Sequence, residues 1–543
     1  MSDSGVDASS SSSTNASSSG QSSGTTPAVS APSRLSLFLD RAGLQGFPWV
    51  SAIVLYTISW GWLLVVRNSI WWDDNDNLGI GYLERLHFGG WPPWTSIVVS
   101  IYENFGPDVV RALIFFAYLF CGVFLYGIIN TLVSSFFTSF EKTFLILFFL
   151  VAPFNTARVG AFLMPHITSY FLFFFGWYLL IKSNRSSCFA FSLLLFFLSF
   201  QIPYMILFFV LPLLSFVYRN SENNLCQKLF RDLLSKRILF LISLPISYLV
   251  IRYFFWPDKT GFYQFHLELI PYAIFSFVIA IPVLIFGVKV ENLTMKKGFY
   301  LLSAGYMACI VGLIPGIVTF QFADNALAKY PVLFLGRSAW HNRQLALQPL
   351  GFSIFCIGVV SLLTGFGRGF QKVVSSSLVA IFVFLSFCFG LEHIIDNEKQ
   401  VAIIDSIKAK QLRGDLNWVF IDDSIYLNAR GRGFRTSDWA GFVYRADPKL
   451  LNIRTTDFAK LGESGTFSTR CPLFWNKDLV ANVVTVQGPE THWQALKNWV
   501  RDRDMGFKVT IDDTPGACKP EMVTAGRVSG MIPILFYFTG AKN

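Results

Sequence analysis

Charged residues are scarce in this chain of 543 residues, where Asp, Glu, Lys and Arg together occupy 14% of the positions. So small a share excludes an ordinary soluble globular protein, in which about a quarter of the residues are charged. Apolar side chains stand in their place: hydrophobic residues reach 53%, and Phe alone occurs 58 times. This composition is typical of a polytopic α-helical membrane protein.

Metal-ligand patterns are also missing. The eight cysteines and six histidines form neither a Cys-x-x-Cys nor a His-Glu-x-x-His spacing, so no structural metal is expected. No cofactor is predicted either, although three neighbouring aspartates, described below, leave a divalent cation open. The net charge of +10 does not indicate a nucleic-acid partner, because the basic residues stand at the ends of apolar segments.

The N-terminal segment differs from the rest of the chain. Residues 1–33 are rich in Ser, Gly and Thr and nearly free of large apolar side chains, which predicts a disordered cytoplasmic tail. No basic stretch precedes an early apolar run, so we expect no cleavable signal peptide. The first helix would then act as an uncleaved anchor.

Apolar runs near the ~20 residues that cross a bilayer predict about eleven transmembrane helices within residues 34–391. The short third, fifth and sixth runs stand beside the helix breakers Pro153 and Pro203, so each could instead belong to an interrupted helix or a hairpin. The predicted spans are 48–66, 109–130, 142–154, 161–181, 186–200, 203–218, 238–255, 270–288, 299–320, 352–367 and 373–391.

Lysine and arginine indicate the side of the membrane on which each loop lies, because cytoplasmic loops carry an excess of both. With the N-terminal tail inside, every predicted inner loop is basic, at positions 142, 182–185, 219–237, 289–297 and 368–372. An odd number of spans then places residues 392–543 on the outer side. The same topology places all six histidines there.

Residues 392–543 carry charges of both signs and alternate apolar runs with turns, which predicts a soluble α/β domain on the outer side. Strands are expected at 417–421, 483–486 and 507–511, with a helix at about 490–503. The run 531–538 is too short to span and is interpreted as a buried strand. Cys471 and Cys518 lie in this domain and are disulfide candidates, whereas the other six cysteines are expected to be reduced.

Three aspartates follow the first apolar run. Asp73, Asp74 and Asp76 stand at the start of a long, partly polar outer loop, 67–108. Carboxylates beside a bilayer are costly unless they face water or a functional cavity, so this cluster is a candidate site. The alternative is a loop that becomes polar on leaving the membrane. Apolar residues at helical spacing later in the loop predict amphipathic helices on the membrane surface, above a lateral cavity.

Basic residues in the outer loops are candidates for binding an anion, because the orientation rule does not explain them. Each could equally be a snorkelling side chain or part of a loop ion pair. The candidates are Arg158, His166, Arg252 and, in the outer loop 321–351, Arg337, His341 and Arg343.

The first helix, the aspartates and the element Gly89-Gly90-Trp91-Pro92 together resemble the membrane-embedded GT-C glycosyltransferases. They are most similar to the phage-type O-antigen glucosyltransferases, in which an Asp-Asp pair, here Asp73-Asp74, precedes a Gly-rich Trp/Arg-Pro element. The similarity covers mainly residues 48–130. This chain has Trp91-Pro92 where the family often has Arg-Pro, and its loop 155–160 lacks the second acid that many relatives carry.

The resemblance implies a GT-C-like fold and transfer of a sugar from a polyprenyl-phosphate donor to a hydroxyl of a cell-surface glycan or lipid-linked acceptor. Asp73, Asp74 or Asp76 would accept the hydroxyl proton, and the basic candidates would bind the donor phosphate. It also implies a multi-pass protein of a bacterial inner membrane that has membrane lipids as partners and acts at the outer face.

Two other functions stay open from the sequence. An O-antigen ligase or polymerase would use the Arg/His loop 321–351 to transfer a whole glycan from a diphosphate lipid. A lipid or polysaccharide transporter would carry no transfer chemistry. Transporters tend to show internal repeats and charges at the bilayer midplane. Neither is evident here, since the clearest charge within a span is Arg111, near an outer helix end.

The variants Asp73→Asn, Asp74→Asn and Asp76→Asn separate these functions. Loss of a general base lowers a rate by roughly 10²–10⁴-fold, so we expect one of the three variants to lose glycan modification in membranes by about that factor. Full activity of all three, with inactive Arg337→Ala or His341→Ala variants, would indicate the ligase. Movement of lipid or solute without a new glycosidic bond would indicate a transporter.

Overall fold

The computed structural model describes residues 42–66, 89–153, 156–203, 205–220, 236–257, 292–311, 348–410, 417–429, 433–434, 436–450, 467–468 and 481–514, together with a few isolated positions. The predicted tail 1–33, most of the eighth span 270–288, most of the loop 321–351 and the strand 531–538 lie outside these residues, and their structures stay predictions. Residues 348–351, at the end of that predicted loop, are described and are helical.

Helices form the ordered elements of the described chain up to residue 410. Four of those described, α2, α4, α8 and α11, are long and apolar enough to cross a membrane, while the count of about eleven spans and their orientation stay predictions. The helices are α1 (Trp49–Trp60), α2 (Thr95–Leu132), α3 (Ser139–Val151), α4 (Met164–Lys182), α5 (Ser186–Ser199), α6 (Met205–Phe208), α7 (Val210–Asn220), α8 (Lys236–Phe255), α9 (Leu293–Val311), α10 (Gln348–Leu362) and α11 (Arg368–Ala409).

The second predicted span, 109–130, is part of the longer helix α2. Because α2 begins at Thr95, the end of the predicted outer loop 67–108 is helical, and a kink divides it from the span. Gly106 interrupts the helix with φ 76°, a left-handed conformation that glycine adopts without steric cost. Pro107 follows and has no N–H to donate. The two residues therefore separate residues 95–105 from the span by a kink.

Aromatic side chains fill the core between α2, α3 and α4. Tyr118 of α2 stacks on Phe149 of α3, with ring centres 5.2 Å apart and planes 2° from parallel. Phe149 in turn meets Phe174 of α4 edge to face at 5.8 Å. Aromatic pairs of this kind contribute about 0.5–1.5 kcal/mol beyond the area that they bury. Such packing matters in lipid, where helices gain little from hydrophobic association.

The buried carboxylate of Glu141 joins three helices. Thr138 and Glu141 form a capping box at the start of α3. Lys297 of α9 donates to the two carboxylate oxygens at 2.7 and 2.9 Å, and the Ser361 hydroxyl of α10 donates at 2.9 Å. A buried charge is tolerated when it is paired and its lone pairs are satisfied. This cluster therefore fixes α3, α9 and α10 to one another at one end.

The C-terminal part contains a mixed sheet whose described strands follow the order β2-β1-β3-β4. β1 pairs in parallel with β2 and β3, and β3 pairs antiparallel with β4. The predicted order of strand, helix and strand is confirmed by β3, α13 and β4. The elements are β1 (Asn417–Asp422), α12 (Thr436–Ala446), β2 (Phe467–Ser468), β3 (Ala481–Gln487), α13 (His492–Asp502) and β4 (Lys508–Asp512).

Helix α11 belongs to both parts of the molecule. Val379 and Phe382 of its first half join the core of the helical bundle. Ile403 and Ile407 of its second half join Trp418 in the core beneath the sheet. At 42 residues α11 is roughly 60 Å long. The last predicted span, 373–391, thus belongs to the N-terminal part of a longer helix, and the predicted domain boundary at residue 392 falls inside that helix.

Trp62 contacts α11 at the point where the helix leaves its apolar run. Gly390 lies against the indole of Trp62 so closely that an added Cβ would overlap the ring. One turn later, the His393 ring stacks on Trp62 with centres 4.8 Å apart. The Nδ1 atom of His393 lies 2.7 Å from the Phe389 carbonyl oxygen. His393 is therefore part of the packing between α11 and the residues that follow α1.

A buried polar network joins α11 to the end of β1. Lys399 is fully buried, and its Nζ donates to the Asp422 carboxylate at 2.6 and 2.7 Å. The same nitrogen donates to Asn428 Oδ1 at 2.6 Å and to the Ser424 carbonyl oxygen at 3.1 Å. Asp396, one turn earlier, accepts from the Ala429 N–H at 2.8 Å. The network holds the helix at a fixed position on the sheet.

Removing Asp422 should destabilise the C-terminal part strongly. The variant Asp422→Ala leaves the Lys399 ammonium buried without its carboxylate, and breaking a buried ion pair costs about 3–5 kcal/mol. Hydrogen exchange of β1 and β3 in the full chain should therefore accelerate. The double variant Lys399→Met, Asp422→Leu should recover most of the protection, because it buries no charge.

Asp502→Ala is the matched control. Asp502 pairs with Arg501 on the exposed surface, where an ion pair adds little stability. Exchange in Asp502→Ala should match that of the wild type. Equal exchange in Asp422→Ala and the wild type would show that the network does not hold the sheet.

Candidate functional site

The segment 156–166, between α3 and α4, carries the first candidate cation. Short 3-10 helices at Thr156–Val159 and Ala161–Leu163 precede α4. Arg158 in this segment is only 1% exposed. Its guanidinium carbon lies 3.2 Å from the ring centre of Trp60, 4.3 Å from that of Tyr118 and 5.9 Å from that of Tyr56. We call Arg158 with these three rings the arginine cage.

The rings of the cage are held by their own contacts. The Tyr56 hydroxyl donates to the Phe115 carbonyl oxygen at 3.1 Å, and the Tyr118 hydroxyl donates to that of Phe149 at 3.4 Å. Tyr56 and Trp60 come from α1, one turn apart, while Tyr118 comes from α2. The cage is therefore built where the first two helices meet.

Four buried donors of the cage meet no hydrogen-bond acceptor in the described part of the chain. They are Nε, Nη1 and Nη2 of Arg158 and the indole Nε1 of Trp60. None of these atoms can accept a hydrogen bond. Cation–π attraction contributes about 2 kcal/mol at a desolvated site, whereas burying a charge costs several kcal/mol. The surplus of donors makes the cage suited to an anion rich in acceptor oxygens.

Arg111 of α2 lies beside the cage but is satisfied by the protein. Its side chain is fully buried, and Nε donates to the Val159 carbonyl oxygen at 3.1 Å. Its Nη1 donates to the Val66 carbonyl oxygen at 3.2 Å and reaches Asp108 at 3.4 Å. Val66 ends the described chain before the aspartates. We call residues 67–94, between Val66 and α2, the aspartate loop. Arg111 therefore ties the start of the aspartate loop to the residue after Arg158.

The far end of the aspartate loop returns to the same segment. The Trp91 ring meets the His166 ring edge to face, with centres 5.8 Å apart. The Trp94 indole donates to the Leu198 carbonyl oxygen at 3.3 Å and meets Trp256 edge to face at 5.2 Å. The Gly-Gly-Trp-Pro element is thus packed against the start of α4. Both ends of the loop lie beside residues 156–166.

Arg445 brings the C-terminal part of the chain near this site. It lies in the last turn of α12, where burial lowers its pKa to about 10. Tyr102 and Asp108 of α2 oppose that change in pKa, and Arg111 adds to it. The pKa of Arg445 therefore depends on side chains of α2.

The predicted site residues fall into two groups. Arg158 and His166 occupy one segment, and Arg252 lies on α8 one turn before Trp256, which contacts Trp94. The other group lies outside the described residues: Asp73, Asp74, Asp76, Arg337, His341, Arg343, Cys471 and Cys518. Their roles stay predictions. Of the cysteines expected to be reduced, those in the described residues are free: Cys121, Cys188, Cys309, Cys356 and Cys388.

Several residues of the site were not predicted to belong to it. Tyr56, Trp60 and Tyr118 stand in apolar runs and carry no signal that separates them from other core aromatics. Arg111 does carry one, because a charge within a span needs a partner or a function. Here Arg111 has partners, and its role is to position the segment that bears Arg158.

The described residues contain no group of three or more His, Cys, Asp or Glu side chains that could hold a metal ion. Comparisons of the chain with protein families, with curated proteins and with solved structures find no match. A function for the chain must therefore be argued from the chemistry of the site itself.

Replacing Arg158 by Met and replacing Arg111 by Met should have different effects on thermal stability. Arg158→Met removes a buried charge that has no ion pair or hydrogen-bond acceptor among the described residues, so the variant should unfold at the wild-type temperature or above it. Arg111→Met leaves the carbonyl groups of Val66 and Val159 unpaired, at a cost of about 1–3 kcal/mol for each group. Thermal unfolding of the two variants in one detergent compares them directly. A fall in Tm as large for Arg158→Met as for Arg111→Met would show that Arg158 serves stability.

Proposed function

We propose that this chain is a membrane glycosyltransferase that moves a sugar from a polyprenyl-phosphate donor to a hydroxyl of a cell-surface glycan or lipid-linked acceptor. The observation that carries the proposal is the buried guanidinium of Arg158, which meets no hydrogen-bond acceptor among the described residues and lies in the segment 156–166 that both ends of the aspartate loop approach. Donors for the leaving phosphate and a carboxylate for the proton are the two kinds of group that this reaction requires.

The reaction replaces one bond at C1 of the sugar by another and transfers one proton. The acceptor oxygen attacks C1 of the sugar, and the bond between C1 and the phosphate oxygen breaks. The lipid phosphate leaves with the bonding electrons, and the hydroxyl proton passes to an aspartate. Asp73, Asp74 or Asp76 is the proposed base, since all three lie in the loop whose ends are held by Arg111 and by His166.

Arg158 is the proposed contact for the departing phosphate. The planar guanidinium can donate two parallel hydrogen bonds to phosphate oxygens, which an ammonium cannot do. Its aromatic neighbours fix the plane and exclude water, and this strengthens each bond to a charged oxygen. The indole N–H of Trp60 adds a donor that carries no charge. His166, held by Trp91, is the second candidate of the same segment.

Contacts in the described residues support the proposed topology of about eleven spans. Glu141 binds Lys297 next to two basic loops that the topology places inside. Val66, Val159, His166 and Trp91 meet near loops that it places outside. Loops that the proposed topology assigns to the same side thus lie close to one another, and this supports an inner N-terminus and an outer C-terminal domain.

Binding of undecaprenyl phosphate tests the role of Arg158 without knowledge of the sugar. In lipid nanodiscs the wild-type protein should bind undecaprenyl phosphate but not undecaprenol, as measured by native mass spectrometry. A hydrogen bond to a charged group is worth about 1.5–3 kcal/mol, so Arg158→Met should bind the phosphate lipid roughly 10-fold to 150-fold more weakly.

Lys372→Ala is the control for a general loss of positive charge. Lys372 is exposed near the start of α11, away from the cage. This variant should bind undecaprenyl phosphate as the wild type does. Equal binding of the phosphate and the alcohol by the wild type, or unchanged binding by Arg158→Met, would contradict the proposal.

A further inference from the structure

Helix α13 of the C-terminal part has two different faces. On one face Ala495 and Leu496 pack against Ile394 and Ile395 of α11. The opposite face is exposed and carries apolar and basic side chains together at helical spacing. Its members are Trp493, Lys497, Val500 and Arg501, with Trp493 63% and Val500 70% exposed. We call these four residues the α13 outer face.

The position of α13 along α11 gives its height above the bilayer. The apolar run of α11 ends at Leu391, and the last two exposed side chains before that point, Phe384 and Phe387, are apolar. Ile394 and Ile395 follow Leu391 by three and four residues, or about 5–6 Å along the helix. The headgroup layer of one leaflet is roughly 5–7 Å thick. An apolar run that leaves the hydrocarbon core at Leu391 therefore puts the contact between α13 and α11 within that layer.

The chemistry of α13 suits a phospholipid headgroup layer. Lys497 Nζ lies 5.8 Å from the ring centre of Trp493, and Arg503 lies 4.9 Å from that of Trp499. Tryptophan beside lysine or arginine is the composition that proteins place at membrane interfaces, where indoles sit among headgroups and cations meet lipid phosphates. Asp502 pairs with Arg501 at the helix end, whereas Lys497 has no ion pair among the residues that the structure describes.

We propose that the α13 outer face lies in the headgroup layer of the membrane that the chain spans, with anionic phospholipid as its partner. The C-terminal part then touches the membrane at two points, along α11 and at α13. This inference does not depend on the proposed reaction, because none of the four residues belongs to the arginine cage.

A photoreactive side chain identifies the partner of α13. The full chain, with a benzophenone amino acid at position 493, is reconstituted in vesicles of equal parts phosphatidylcholine and phosphatidylglycerol and irradiated. Mass spectrometry should find phospholipid adducts at position 493. Position 405 is the matched control, because Asp405 is equally exposed on α11 but lies about 20 Å beyond Leu391. It should give several-fold fewer lipid adducts.

Charge reversal tests the electrostatic part of the proposal. Lys497→Glu and Arg501→Glu together should lower the lipid adducts at position 493 several-fold, and the effect should be larger in phosphatidylglycerol than in phosphatidylcholine alone. Both residues are exposed, so the fold should be unchanged. Equal lipid adducts at positions 493 and 405, or cross-links from position 493 to a second copy of the chain, would overturn the proposal.

Discussion

The cost of placing a charge in an apolar interior is the constraint on which this structure depends. Glu141, Arg111 and Lys399 are all buried, and each meets partners that offset that cost. Each also joins segments that are distant in sequence, so the partners of these charges define how the helices and the sheet fit together. Arg158 is held by aromatic faces instead, and its donors meet no acceptor among the described residues. A buried charge that departs in this way from the usual pairing is typical of a functional site.

The positions of most described helices and strands could be predicted from the sequence, because apolar runs and alternating patterns are local properties. Residues 95–105 are helical, as the apolar spacing in the loop predicts, and the kink at Gly106 divides them from the span. One boundary could not be predicted. α11 continues past residue 391, where buried polar residues such as Asp396 and Lys399 resemble the end of a span. Their partners come from the end of β1, and the pairing of distant residues is not visible in a local pattern.

The candidate site was predictable in part. Arg158 and His166 were singled out as charges in an outer loop, and the structure places both in one segment with the Gly-Gly-Trp-Pro element beside them. The aromatic side chains around Arg158 could not be predicted, because they differ from other core residues only in where the helices cross. Arg445 comes from a part of the chain that is remote in sequence. The aspartates lie outside the described residues, and their role stays a prediction.

The continuity of α11 has a consequence for the order in which the chain folds. The core beneath the sheet includes Ile403, Ile404 and Ile407, which belong to the helix that also packs into the bundle. During synthesis this helix is complete before β1 emerges. It therefore offers an ordered apolar surface on which the strands can assemble, so the sheet takes its location from a helix that is synthesised before it.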